Sequence, residues 1–102
     1  MIVTRWQAPI IPSIEQIKMI LVNEGLEPVE EILPQNGKIK EHRHPFDEIR
    51  MVVDGELLVN VSGNQLLLRP GDRIEIPSNT KHQYNSHGQS DCLCVIAQRA
   101  PL

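Results

Sequence analysis

The sequence predicts an antiparallel β-barrel with one helix near its N-terminal end. Three observations carry this expectation. From Pro28 onward, short runs rich in Val, Ile and Leu are closed one after another by turn residues, the pattern of sandwiches and barrels. Ahead of them stands a single segment whose apolar residues recur at helical spacing. Finally, His42, His44 and Glu48 are far in sequence from His82, and a strand carrying His82 can lie beside them only if the sheet folds back on itself.

Taken in order, Ile2 to Trp6 forms a short β-like opening. The stretch Pro12-Ser13-Ile14-Glu15-Gln16 is a helix start, in which the Ser13 side chain caps the backbone and Gln16 reaches back to it. Ile14, Ile17, Ile20 and Leu21 then share one face while Glu15, Lys18 and Glu24 take the other, and Gly25 supplies the left-handed residue that ends the segment. A helix of about three turns should therefore lie on an apolar surface.

Beyond it, Asp54-Gly55 separates the strand-like run 49–53 from the run 57–59, a two-residue hairpin signal. Ser62-Gly63-Asn64 makes a second reversal, and Arg69-Pro70-Gly71-Asp72 a third, with Pro and Gly where a type II turn needs them. The expected result is an antiparallel meander. Ile49, Met51 and Val53 are apolar on the face opposite Glu48 and Arg50, so that face must be covered by the N-terminal helix or by a second subunit. Leu66, Leu67 and Leu68 predict a strand buried on both sides.

Length and charge exclude several function classes. A chain of 102 residues has room for one core, so a single domain over 1–102 is expected, with strand and helix in 1–27 and the barrel in 28–99. The net charge of −3, with scattered Lys and Arg, offers no footprint for nucleic acid. The longest apolar run, Cys92 to Ala97, is far too short to cross a bilayer, and no long apolar stretch follows Met1, so neither a bilayer span nor a secretory signal is expected, and a cytoplasmic location follows as the default. Cys92 and Cys94 fall on one face of a strand, in a spacing that seldom closes into a disulfide. Free thiols fit a reducing compartment, and small buried hydrophobes are the expectation over soft metal ligands or a redox pair.

The chemistry concentrates in residues 42–48. On an extended backbone His42 and His44 point to the same face, about 7 Å apart at Cα, so their imidazoles can converge on one ion. Pro45 breaks the ladder and delivers Glu48 from the start of the next strand. His82, at the start of another strand after Pro77-Ser78-Asn79-Thr80, completes the set in a barrel. Three imidazoles and a carboxylate suit a divalent transition metal, Fe, Mn, Ni, Cu or Zn, rather than Ca²⁺.

By parity with Glu48, Arg50 faces the barrel interior, where it either binds a substrate carboxylate bidentately or forms an internal ion pair. By parity with His82, Tyr84 is inward too, either a proton or hydrogen-bond donor to a ligand or a barrel-filling ring with its hydroxyl satisfied. Phe46 is expected at the barrel mouth, His87 in a solvated loop. Because Glu75 alternates outward with Arg73, no second carboxylate is expected near the metal, and the pocket should be largely apolar.

Gly37, His42, His44, Glu48 and Gly55 resemble the first cupin motif, and Gly71, Pro77 and His82 the second. The match runs from Gly37 to Ser86. Gly37 stands one residue closer to His42 than the family spacing, Asn79 replaces a glycine, and Ser86 replaces the closing asparagine. Asn tolerates the left-handed conformation best among non-glycine residues, so that change is benign. The resemblance implies a double-stranded β-helix, or jelly-roll, fold. It also implies a mononuclear metal site on His42, His44, Glu48 and His82. A homodimer follows from the family's habit of pairing through sheet faces, with exchange of Ile2 to Trp6 between subunits as a conjecture.

Two function classes follow. The first is a metal-dependent enzyme, a dioxygenase or an isomerase, acting on a small polar metabolite. The second is a barrel that binds or senses a small molecule without turnover. A metal-free scaffold is the third, and the ligand set argues against it.

Overall fold

The helix and the strands follow from local chemistry first. The computed structural model describes residues 1–100. In order, β1 spans Ile2–Thr4, α1 Ile14–Asn23, β2 Val29–Leu33, β3 Lys38–His42 and β4 Asp47–Asp54. Then come β5 Glu56–Val61, β6 Asn64–Leu68, β7 Arg73–Ile76, β8 His82–His87 and β9 Cys92–Arg99. The helix starts as the sequence predicts: Ser13 Oγ accepts from the Gln16 backbone N–H, and Gln16 Oε1 accepts from that of Ser13. It ends at Glu24, with Gly25 at φ 81° beyond it.

The strands form two antiparallel sheets, one in the order β1-β7-β4-β9-β2 and one in the order β3-β8-β5-β6. Between them lies the main core, with Val52, Leu57, Val59, Leu68, Ile74, Ile76, Tyr84, Cys92 and Cys94 all buried. A second cluster lies outside the first sheet, where Ile17 and Leu21 of α1 cover Ile49, Met51, Val95 and Ala97. Each such aliphatic side chain removed from water contributes about 1.5–3 kcal/mol. The face expected to need a helix or a second subunit is therefore covered by the chain's own helix. Ile2–Thr4 pairs with Arg73–Glu75 of the same chain.

The meander and one of its hairpins are corrected. Asp54-Gly55 does not join paired strands: β4 pairs with β7 and β9, whereas β5 pairs with β6 and β8. Gly55, at φ 81°, is the corner where the chain passes from one sheet to the other, and a Cβ there would stand 2.3 Å from the Asp91 carbonyl oxygen. A sheet-switching corner and a tight hairpin both demand positive φ, so the same dipeptide signals either. The reversal at Ser62 (φ 49°) and Gly63 (φ 88°) is a true hairpin, joining β5 to β6. Gly71, at φ 91°, closes the turn from β6 to β7 and packs under Trp6. Leu68 is buried but Leu66 and Leu67 are only half-buried, because β6 is an edge strand. Among the described residues, no helix is long and apolar enough to cross a membrane.

Candidate metal centre

Regular alternation would not bring His42 into the barrel. Ile39 pairs with Tyr84 and packs on the core, so Lys40 and His42 would both face outward on an undisturbed strand. Instead β3 carries one extra residue between Ile39 and His42, and this bulge places His42 opposite His82. His44 lies beyond β3 in the loop to β4, its ring stacked on Phe46 at 4.6 Å and 9°. Asn79, at φ 58°, donates its N–H to the His44 carbonyl, which ties the loop before β8 to the loop before β4. The glycine-like conformation expected at Asn79 is present.

These elements bring all four expected ligands together. One donor atom each from His42, His44, Glu48 and His82 lie within 4.8 Å of one another. His42 Nε2 and His44 Nε2 are 3.0 Å apart, and His44 Nε2 is 3.1 Å from Glu48 Oε1. His82 Nε2 is 3.9 Å from that same oxygen. The Nδ1 atoms of His42 and His82 donate to the carbonyls of Lys40 and Thr80, at 2.7 and 2.8 Å, so both Nε2 atoms turn their lone pairs toward the cluster.

The donor set fits a cation. His82 is buried, yet its Nε2 has no hydrogen-bond partner among the described residues. Such an orphan costs about 1–3 kcal/mol unless something meets it. Burial lowers the His82 pKa and outweighs the opposing Thr80 carbonyl and Glu48, which favours the neutral, metal-ligating imidazole. Glu48 is also buried. Burial pushes its carboxyl up, but the Arg50 charge and the Tyr84 hydroxyl prevail and hold it below the ordinary range.

Behind the cluster, Glu48 Oε2 accepts from Arg50 Nε at 3.3 Å and from the Tyr84 hydroxyl. Only Oε1 is left to face the histidines. Tyr84 is fully buried, with the Arg50 Cζ 4.0 Å from its ring centroid. Burial raises the Tyr84 pKa, so its hydroxyl keeps its proton as a donor. Arg50 also donates from Nη1 to Glu31 Oε1 at 2.7 Å.

Glu31 is the residue that sequence reasoning missed. It lines a cleft of about 160 Å³ together with Ile39, His42, His44, Phe46 and Arg50, while Gln98 borders it from β9. A second carboxylate, not expected beside the cluster, is present, supplied by β2 and not by Glu75. No local signal marks it, since Glu31 sits beside Glu30 in an acidic pair whose inward member is set by pairing with β9.

Cys92 and Cys94 are buried on the inner face of β9 with their sulfurs 3.8 Å apart, as free thiols. The hydrogen bond from Cys92 lowers the Cys94 pKa, aided by Arg50 and opposed by burial. His87 is exposed as the last residue of β8, a strand that runs into the stretch 85–89 expected as a loop.

Comparison with known proteins agrees with this architecture. The chain is 30% identical over 89 residues to acireductone dioxygenase of Leishmania major, an alignment spanning 82% of this chain and 25% of that protein. It is 38% identical over 50 residues to acireductone dioxygenase of Bacillus licheniformis, covering 44% of this chain and 28% of the relative. The chain thus spans about a quarter of the length of the relatives it matches. Among solved structures, KdgF from Halomonas sp. superposes with a TM-score of 0.65 at 23% identity, over 74% of this chain and 70% of that one, a likeness of fold. The sequence model of the cupin domain matches residues 28–97, from just ahead of β2 to within β9, and the chain belongs to the cupin family.

Proposed function

We propose that the chain holds a divalent transition-metal ion on His42, His44, Glu48 and His82, and that a small polar metabolite reacts in the cleft beside it. The observation that carries this is the buried, partnerless Nε2 of His82, set among three other donors within 4.8 Å. A mixed nitrogen and oxygen set suits Fe, Mn, Ni, Cu or Zn. An ion there would supply Lewis acidity toward a substrate oxygen or, if redox-active, oxygen chemistry.

The chain's own residues do the positioning. Tyr84 and Arg50 hold Glu48 Oε2, so Glu48 would bind through Oε1 alone, while the Lys40 and Thr80 carbonyls aim the two imidazoles. Similarity to proteins named as dioxygenases supports a dioxygenase over an isomerase. A binding or sensing barrel without turnover is the second reading, favoured by an open mouth where His42 and His44 are only half-buried.

The test is metal content by plasma mass spectrometry after anaerobic purification without chelator or added metal, with His44→Ala in parallel. A stoichiometric ion in the wild type and little in the variant is expected. If both are equally empty, and neither takes up these metals on reconstitution, the proposal fails.

A further inference from the structure

The cleft beside the cluster holds about 160 Å³, room for a molecule of a few heavy atoms. Arg50 is the evident candidate to bind an anionic substrate there, yet its guanidinium is already engaged. The residue is 2% exposed, its Nε and Nη1 donate to Glu48 and Glu31, and its plane lies over the Tyr84 ring. A substrate carboxylate would have to displace Glu31 to reach it.

Glu31 itself is open to the cleft. Its side chain is 32% exposed; Oε1 accepts from Arg50, and Oε2 has no hydrogen-bond partner among the described residues. Glu48 would face the ion and Arg50 is shared between the two carboxylates, so Glu31 Oε2 is left as an unmatched acceptor on this wall. An ionised carboxylate only accepts hydrogen bonds, so what it can recognise is a donor.

We infer that Glu31 sets the specificity of the site, selecting ligands whose far end carries a hydroxyl or ammonium group and rejecting those that end in a carboxylate. This rests on the metal-binding reading and names the ligand class of that same site. A donor placed against Oε2 makes a charge-assisted bond, whereas a carboxylate meets like charge.

The experiment uses the full chain loaded with Co(II), followed by visible absorption, and three probes sharing one chelating head. Glycine hydroxamate carries an ammonium tail, acetohydroxamate a methyl, and malonic acid monohydroxamate a carboxylate. The wild type should bind the ammonium probe about tenfold or more tighter than the carboxylate probe, the discrimination expected of a charged hydrogen bond.

Glu31→Gln, isosteric at a partly exposed position, should abolish that ranking and improve the carboxylate probe by freeing Arg50. Glu31→Asp keeps the charge and should keep the ranking. Equal binding of the tails by the wild type, or an unchanged ranking in Glu31→Gln, overturns the inference while leaving the metal site standing. A chain that gives no Co(II) spectrum and binds none of the probes overturns both.

Discussion

His42 stands directly opposite His82 on paired strands, their ring centroids 4.3 Å apart, although strict alternation from Ile39 would turn it to solvent. The bulge in β3 is what reverses its direction. Deleting Glu41, an exposed residue within the bulge, puts His42 two positions after Ile39, so it should restore regular pairing with His42 still inward and opposite His82. Co(II) or Zn(II) affinity should then stay within about tenfold of wild type, short of the roughly 10–100-fold that loss of a supporting partner costs. A larger loss in a titration would show that the bulge does more than bring His42 into phase with His82.

Arg50 is predicted to matter more to stability than to chemistry. It is the shared partner of Glu48 and Glu31 inside the barrel. Arg50→Met leaves a buried carboxylate uncompensated and should cost about 3–5 kcal/mol in urea unfolding. A loss below about 1 kcal/mol, the scale of an exposed pair, would contradict the buried arrangement.

Tyr84→Phe keeps the ring in the core and removes the hydroxyl that Glu48 Oε2 accepts. The fold should survive with a loss of about 1–3 kcal/mol. Metal affinity should fall by about 10–100-fold, because the carboxylate is then free to turn. Competition with a chromophoric chelator measures this, and an affinity equal to wild type would remove Tyr84 from the positioning set.

The Gly55 corner is distinguishable from a hairpin by comparison with Gly63. Both have positive φ, but a Cβ at Gly63 meets nothing within 4 Å whereas one at Gly55 meets backbone. Gly63→Ala should cost about 1 kcal/mol, from backbone conformation alone. Gly55→Ala should cost clearly more, and equal denaturation midpoints would argue against the sheet switch.

Asp72 anchors the N-terminal segment. Burial pushes its carboxyl up, but the N–H groups of Trp6 and Arg69 and the Arg5 guanidinium hold it below the ordinary value of 3.8. A lowered folded pKa means the stabilisation is present above that ordinary value and is lost as pH falls through the folded one. Asp72→Asn should therefore cost about 1–3 kcal/mol near neutral pH, with the gap to wild type closing below about pH 4. Equal stability of the two proteins at neutral pH would sink the prediction.

What the sequence made legible was local. The Ser13 and Gln16 cap, the Ile17 and Leu21 stripe and the Ser62-Gly63 turn each depend on residues a few positions apart, and each stands as expected. The four clustered side chains were legible as residue types at motif spacing, with distant His82 joined to His42, His44 and Glu48 only through the cupin resemblance. Strand partnership was not. Asp54-Gly55 encodes a positive φ but not which sheet receives the next strand, and the role of Glu31 depends on register with β9, a pairing across most of the barrel. The bulge in β3 is equally silent, because nothing in Lys40-Glu41 marks one residue as extra.

The four clustered side chains do not come from one sheet. His42 and His82 belong to β3 and β8, Glu48 to β4 in the facing sheet, and His44 to the loop between. An ion seated there would work as a clasp at one end of the sandwich. Prising the two layers apart at that end and releasing the ion would then be a single event, so the lifetime of the closed barrel against proteases would be set by how slowly the metal leaves.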